Sequence, residues 1–140
     1  MIKNIVMVED DEDDRRIFHN LLLPYDDLLL NVYTCSLLSS CLATVFEKKP
    51  DLVVLDLNLP DSRGIDTLNT LIKRFPEQNV LVMTGDLDED YRFRLVELGA
   101  INAFEKGTIT VAEFRKSVVE ALYPVQKTYL QDWYQKQSRH

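Results

Sequence analysis

Five polar residues with the chemistry of a metal or phosphoryl site stand at the ends of short apolar runs. Glu9 and Asp10 follow the first run, and Asp56 ends another. Thr84 ends a third run, and Lys106 follows a fourth. Carboxylates that are brought close together repel one another, so they need a cation or shifted pKa values. Because all the acidic ligand atoms are oxygens, the set suits a hard ion such as Mg²⁺.

The same residues could support transfer of a phosphoryl group. A carboxylate such as that of Asp56 can attack phosphorus and form an aspartyl phosphate. Catalysis of this transfer depends mainly on positioning and on stabilising charge at the phosphoryl oxygens. Mg²⁺ and the Lys106 ammonium would supply positive charge, and the Thr84 hydroxyl would supply a hydrogen bond. Each residue alone could be an ordinary surface or strand-end residue, so the prediction depends on the complete set.

An alternation of strands and helices predicts how these residues come together. Short apolar runs typical of buried strands span 2–8, 28–34, 52–56, 80–84 and 101–105. Segments with apolar residues at helical spacing span 13–23, 37–48, 65–75 and 91–98, and a last helix begins at about residue 110. This pattern predicts a flavodoxin-like doubly wound α/β fold with a parallel sheet in the order 2-1-3-4-5. Sites in such folds lie at the carboxyl ends of the strands.

Composition limits the class of protein. The chain has 140 residues with 46% hydrophobic content, which suits one globular domain with a real core. Its formal net charge of -7 argues against direct binding to nucleic acid through a basic surface. The N-terminus lacks a signal-peptide pattern, and the apolar runs are far shorter than a membrane span. We therefore expect a cytoplasmic protein, with Cys35 and Cys41 as free and mostly buried thiols.

Four strings of residues carry a resemblance to a known family. They are Val8-Glu9-Asp10-Asp11, Asp56-Leu57-Asn58-Leu59-Pro60-Asp61-Ser62-Arg63-Gly64, Met83-Thr84-Gly85 and Phe104-Glu105-Lys106-Gly107. In this order and at this spacing they resemble response-regulator receiver domains, over residues 3 to about 122. The resemblance implies a signalling switch of a two-component system or phosphorelay rather than an enzyme. It also implies a histidine kinase or a phosphotransfer protein as the phosphoryl donor.

The resemblance implies a role for each site residue. Asp56 would be the phosphoacceptor. Asp10 would bind Mg²⁺ directly, Glu9 would bind it directly or through water, and the backbone carbonyl of Asn58 would be a further ligand. Thr84 would contact the phosphoryl group and move on activation.

The resemblance further implies that Lys106 pairs with the phosphoryl oxygens and that Pro60 and Gly64 shape the loop after Asp56. One departure concerns the position three residues before Lys106, which is usually aromatic and is Ala103 here. Phe104 is adjacent, but it would face the opposite side of the strand. We therefore expect that a threonine–aromatic coupling is missing and that activation works through another element.

Two rival functions use the same residues. A phosphatase with an aspartyl-phosphate intermediate would need a general acid two residues after Asp56, where this chain has Asn58. An interaction module of the receiver type could also bind partners without being phosphorylated. The presence of all five expected polar residues argues against that second rival.

Other polar residues are interpreted as solvent-exposed. The four acids after Asp10, at positions 11–14, are expected to complement the dipole at the start of the first helix rather than to bind metal. Asp86 is interpreted as a solvated loop residue, with a place over the site as the alternative. His19 and His140 are expected to be surface residues.

We expect residues 1–123 to form the receiver domain and residues 124–140 to form a C-terminal helical extension or the start of a linker. Pro124 suits the first turn of a new helix, and apolar residues recur after it. Two interpretations remain open: a helix that packs on its own domain or on a second copy, or a signalling helix toward an output domain. The expected partners are a second copy or a downstream protein, bound through the fourth helix, fifth strand and fifth helix and through this extension.

Overall fold

The computed structural model describes residues 2–22 and 29–123. Strands in these residues are β1 (Ile2–Val8), β2 (Leu29–Cys35), β3 (Leu52–Asp56), β4 (Asn58–Leu59), β5 (Ser62–Arg63), β6 (Val80–Thr84) and β7 (Asn102–Glu105). Helices are α1 (Glu12–Leu22), α2 (Leu38–Lys48), α3 (Ile65–Arg74), α4 (Glu89–Leu98) and α5 (Val111–Leu122). The predicted extension at 124–140 lies outside the described residues.

Five of these strands form one parallel sheet in the order β2-β1-β3-β6-β7. Counted within this sheet alone, the order is 2-1-3-4-5, which confirms the predicted doubly wound fold. All residues of the central strands β3 and β6 are buried. This burial explains why both strands are continuous apolar runs, since helices cover both of their faces.

Each face of the sheet has its own hydrophobic core. Apolar residues of α2, α3 and α4 pack on one face, and those of α1 and α5 pack on the other. Successive residues of β1 alternate between the two cores: Val6 and Val8 contribute to the first, and Ile5 and Met7 contribute to the second. The helices therefore hold the sheet from both sides and leave its carboxyl edge free for a site.

Two features of the chain differ from the sequence prediction. The segment after β3 contains a short antiparallel hairpin, in which β4 pairs with β5. Strands of two residues are too short to show a hydrophobic period, so this hairpin was not predicted. Helix α4 also begins two residues earlier than predicted, because the Asp88 carboxylate accepts a hydrogen bond from the Tyr91 N–H (2.7 Å) and caps the helix.

The expectation about the thiols is met within the described residues. Cys35 and Cys41 are both buried and free of disulfides. Burial raises the pKa of the Cys41 thiol to about 12, so it stays protonated. Among the helices of residues 2–22 and 29–123, none is long and apolar enough to cross a bilayer.

Candidate functional site

The predicted site residues lie together at the carboxyl edge of the sheet. Glu9 follows β1, Asp56 ends β3, Thr84 ends β6, and Lys106 follows β7. Backbone pairing between neighbouring strands aligns these residues along the edge. Asp56 is in register with Met83, the residue before Thr84, and the Lys106 N–H donates to the Thr84 carbonyl (2.9 Å). We call Glu9, Asp10, Asp56, Thr84 and Lys106 the carboxyl-edge site.

Lys106 is the electrostatic centre of this site. Its Nζ lies 3.1 Å from Glu9 Oε2, 3.3 Å from Asp56 Oδ2 and 3.1 Å from Asp14 Oδ2. The side chain of Glu9 is fully buried, and that of Asp56 is only 4% exposed. Buried carboxylates need a cation partner, and the Lys106 ammonium group is that partner for both Glu9 and Asp56, while it also contacts the partly exposed Asp14.

Burial and the close contacts between these charges shift the pKa values of Glu9 and Lys106. Burial, together with the adjacent Asp56 carboxylate, raises the pKa of Glu9 to about 8, although Lys106 partly opposes the shift. Burial by itself would lower the pKa of Lys106, but Asp56, Asp14 and Glu9 outweigh it and raise that pKa above its ordinary value. Lys106 is therefore a permanent cation at neutral pH, whereas Glu9 readily holds a proton.

The acidic residues are arranged so that they could hold a metal ion. Glu9, Asp10 and Asp56 each offer a carboxylate oxygen, and these oxygens lie within 4.8 Å of one another. Asp10 is exposed, whereas Glu9 and Asp56 are buried, so the cluster opens toward solvent on one side. Mg²⁺ favours a few carboxylates that leave positions for water and phosphate oxygens. The donor set therefore fits Mg²⁺.

Asn58 and Thr84 lie next to this cluster but point to different partners. The Asn58 N–H donates to Asp56 Oδ1 (3.0 Å), which places Asn58 beside the acceptor carboxylate. The metal-ligand role of its carbonyl remains a prediction. The Thr84 side chain is buried, and its hydroxyl donates to the backbone carbonyl of Asp86 (3.4 Å). Asp86 is exposed, and its backbone carbonyl is the acceptor of this bond.

Four hydrogen bonds help to hold the loop after Asp56 in place. Gly64 has a φ of 66°, a conformation that glycine adopts at no steric cost, and its N–H donates to Leu57 O (2.8 Å). The Thr67 hydroxyl donates to the same carbonyl (2.9 Å). Asp61 accepts hydrogen bonds from the backbone N–H groups of Leu38 (2.8 Å) and Ser39 (3.0 Å) at the start of α2. These two N–H groups lower the pKa of Asp61.

Ala103 and Phe104 lie on opposite faces of β7, as predicted. Ala103 belongs to the core beneath α2, α3 and α4. Phe104 lies in the other core, with its ring centroid 5.8 Å from that of Phe18 and 5.5 Å from that of Phe114. The aromatic ring of Phe104 is therefore fixed between α1 and α5, away from the loop that follows Thr84.

Two acidic residues in contact with this region were not recognised from the sequence. Asp14 pairs with Lys106, although it was expected to be only a helix-start acid. Asp10 lies before the start of α1, so helical spacing from the predicted site residues did not indicate this contact. Asp61 caps α2 from a distant loop, and no local pattern could have indicated this contact. His19 is half-buried in α1, and His140 lies outside the described residues.

Comparison with known proteins agrees with the fold. The family model described as "Response regulator receiver domain" matches residues 5–118. The chain therefore belongs to the response regulator receiver domain family.

Its curated relatives carry names of regulatory proteins. Response regulator GacA of Pseudomonas aeruginosa is 31% identical over 107 residues, which cover 76% of this chain and 49% of the relative. Oxygen regulatory protein NreC of Staphylococcus epidermidis is 28% identical over 96 residues, which cover 68% of this chain and 44% of the relative. The chain thus spans less than half of the length of these relatives.

Solved structures show the same fold at low sequence identity. A CheY-like receiver domain protein from Methanospirillum hungatei has a TM-score of 0.74 at 20% identity, with coverage of 91% of this chain and 99% of that chain. A two-component response regulator of the LuxR family from Aurantimonas has a TM-score of 0.78 at 20% identity, with coverage of 89% and 87%.

Proposed function

We propose that this receiver domain is a phosphorylation-dependent switch of a two-component system or phosphorelay. It accepts a phosphoryl group on Asp56 from a histidine kinase or a phosphotransfer protein and signals in the cytoplasm through protein–protein contacts. The observation that carries the proposal is the position of Lys106 Nζ, 3.3 Å from Asp56 Oδ2, beside a three-carboxylate cluster. The proximity of these groups supports the assignment of a nucleophile, a cation and a metal site to the carboxyl edge of the sheet.

Each residue has a distinct task in the proposed transfer. A carboxylate oxygen of Asp56 attacks phosphorus, and the bond between phosphorus and the leaving atom of the donor breaks. With a phosphohistidine donor this atom is an imidazole nitrogen, which leaves as the histidine side chain, and with acetyl phosphate it is an oxygen of the released acetate. Lys106 stays protonated and pairs with the phosphoryl oxygens. Glu9, Asp10, Asp56 and the carbonyl of Asn58 would hold Mg²⁺, which would add positive charge beside the phosphoryl group.

The proposed response to phosphorylation begins at Thr84. Its hydroxyl leaves the Asp86 carbonyl and donates to a phosphoryl oxygen, which draws the loop at 85–88 inward. That loop is also tied to β7, because the Leu87 N–H donates to Glu105 Oε1 (3.3 Å). Movement of the loop is therefore transmitted to α4 and β7 without an aromatic side chain at position 103.

The exposed face of α4, β7 and α5, which we call the signalling surface, suits contact with a partner. Exposed apolar side chains on α4 and α5 include Phe93, Val96 and Val119. A cleft of about 280 Å³ between these elements has Arg92 and Ile109 in its lining. Exposed apolar patches with a polar rim are typical of interaction sites. A second copy of this chain or a downstream protein would bind here, with residues 124–140 contributing to the contact.

Phosphate-affinity electrophoresis tests the proposal. After incubation with acetyl phosphate and Mg²⁺, the wild-type chain should show a retarded band, and Asp56→Asn should not. Asp66→Asn, an exposed aspartate on α3, serves as a matched control and should shift like wild type. An unshifted wild type, or a shift that survives Asp56→Asn, would contradict the proposal.

Sedimentation tests the role of the extension. A chain truncated after Tyr123 should self-associate less than the full chain when both are phosphorylated. Equal association of the two chains would remove residues 124–140 from the proposed contact.

A further inference from the structure

Asp14 occupies an unusual position between the start of α1 and the carboxyl-edge site. Its Oδ2 lies 3.1 Å from Lys106 Nζ, the same distance as Glu9 Oε2. The Asp14 side chain is 37% exposed, so this pair is at the solvent side of the ammonium group. Lys106 thus has one carboxylate partner that belongs neither to the metal cluster nor to the phosphoacceptor.

Backbone contacts hold both ends of this pair. The Asp14 N–H donates to Asp11 Oδ1 (2.9 Å), which fixes Asp14 in the first turn of α1. The Lys106 N–H donates to Thr84 O (2.9 Å), which fixes the lysine at the end of the sheet. The fold therefore holds the backbones of Asp14 and Lys106 at positions from which their charged side chains meet.

A role limited to the helix dipole does not account for Asp14. Any acid in the first turn of a helix gains from that dipole, and Asp13 has the same advantage. Asp13, however, is 80% exposed and pairs with Arg16, one turn along the same helix. The contact of Asp14 with the lysine of the site distinguishes it from its neighbour.

We propose that Asp14 is a positioning residue that competes with the phosphoryl group for Lys106 and thereby slows phosphorylation of Asp56. This inference rests on the proposed function. Transfer requires Lys106 to pair with the incoming phosphoryl oxygens, so its bond to Asp14 must weaken first. The Asp14 carboxylate also repels an anionic phosphoryl donor that approaches from the solvent side. Both effects act in the same direction.

Removing the negative charge of Asp14 should therefore accelerate phosphorylation of Asp56. Asp14→Asn keeps the shape of the side chain and removes its charge. With acetyl phosphate and Mg²⁺ at low ionic strength, its phosphorylation rate constant should exceed that of wild type by about threefold to tenfold. The gain should shrink at high ionic strength, because the Asp14–Lys106 pair is partly exposed to solvent. Asp14→Glu, which restores the charge, should return the rate toward that of wild type.

Asp13→Asn is the matched control, because it removes the same charge one residue away. Its rate should stay within about twofold of wild type, as expected for a change of a solvent-exposed charge. Urea unfolding of each variant verifies that the compared chains are folded under the assay conditions. If Asp14→Asn and Asp13→Asn give equal rates, or if Asp14→Asn is slower than wild type, the inference is wrong.

Two further readouts separate this inference from the proposed function. The NMR signal of the Lys106 ammonium group in metal-free protein should move in Asp14→Asn and not in Asp13→Asn, and an unmoved signal would overturn the contact itself. The affinity for beryllofluoride, a phosphoryl mimic, should rise in Asp14→Asn. A wild-type chain that is never phosphorylated would overturn the proposed function and this inference together, whereas a phosphorylated wild type with equal variants overturns the inference alone.

Discussion

The carboxyl-edge site and the signalling surface differ in which side chains they bury and which they expose. At the carboxyl-edge site, charged groups are buried and paired, with Glu9 and Asp56 held against Lys106. On the signalling surface, apolar groups are exposed, as in Phe93, which is 64% exposed. The first region suits the proposed phosphoryl chemistry inside one chain, and the second suits the proposed contact with another chain. Substitutions can test whether the two regions are as separable as this comparison indicates.

The largest expected effect on stability comes from the buried ring of Phe104. Phe104→Ala removes a buried ring packed between α1 and α5 and should lower the free energy of unfolding by about 3–5 kcal/mol. Phe93→Ala makes the same change on an exposed side chain and should cost less than about 0.5 kcal/mol. Urea denaturation measures both. Equal losses in the two variants would contradict the distinction between a fixed Phe104 and a solvent-facing Phe93.

The next effect concerns the lysine that joins the carboxylates. Lys106→Ala removes the cation that neutralises charge on the phosphoryl group, so the rate constant with acetyl phosphate should fall about 10²–10³-fold. Lys106→Arg keeps the charge on a side chain of different shape, so its rate constant should lie between those of wild type and Lys106→Ala. A rate for Lys106→Ala within threefold of wild type would show that the ammonium group is not part of the reaction.

The pH dependence of stability should reveal the buried Glu9. Since its pKa is raised from 4.5 to about 8 in the folded chain, the folded state holds a proton there that the unfolded state has released. The contribution of Glu9 to the stability of metal-free protein should therefore be complete below pH 4.5 and be lost as pH rises to about 8, by about 1.4 kcal/mol for each unit by which the pKa is raised.

Glu9→Gln is the control for this pH dependence, because glutamine cannot ionise. The difference in unfolding free energy between wild type and Glu9→Gln should change steadily between pH 4.5 and about pH 8. Added Mg²⁺ should oppose the decline, since a bound metal favours the ionised carboxylate. A wild type that gains stability relative to Glu9→Gln as pH rises would contradict the assignment.

The smallest effect is expected for Asp61, which lies in the loop after Asp56 and accepts hydrogen bonds from the start of α2. Asp61→Ala removes the acceptor of two backbone N–H groups and should lower the midpoint of urea unfolding modestly. Asp61→Asn keeps one acceptor and should lose less. Because the pKa of Asp61 is lowered in the folded chain, its contribution is present above pH 3.8 and is lost as pH falls through the folded pKa. Equal midpoints for wild type and Asp61→Ala at neutral pH would show that the cap does not stabilise the loop.

The positions of the site residues could be predicted because each one ends or follows a buried strand. Parallel strands place their carboxyl ends at one edge, so Asp56 and Thr84 had to come close once the strand order was known. The separation of Ala103 from Phe104 followed from the alternation of side chains along a strand. These predictions needed only local patterns and a general rule of sheet topology.

The contacts that were missed depend on the packing of distant segments. Asp14 and Lys106 are 92 residues apart in sequence, and their contact depends on how α1 is placed against the end of β7. Asp61 lies in the turn of the β4–β5 hairpin, and its contact with α2 depends on where that hairpin is placed. The hydrogen bond of Thr84 to the Asp86 carbonyl depends on a loop conformation with no sequence period. Such contacts are set by three-dimensional packing, which hydrophobic spacing does not encode.

The central claim is that Asp56 is the residue that carries the phosphoryl group. Peptide mass spectrometry after borohydride reduction tests it most directly, because reduction converts an aspartyl phosphate into a stable homoserine. After treatment with acetyl phosphate and Mg²⁺, the account predicts homoserine at position 56 and unmodified aspartate at positions 10 and 14. Reduction products at another aspartate, with position 56 unchanged, would contradict it.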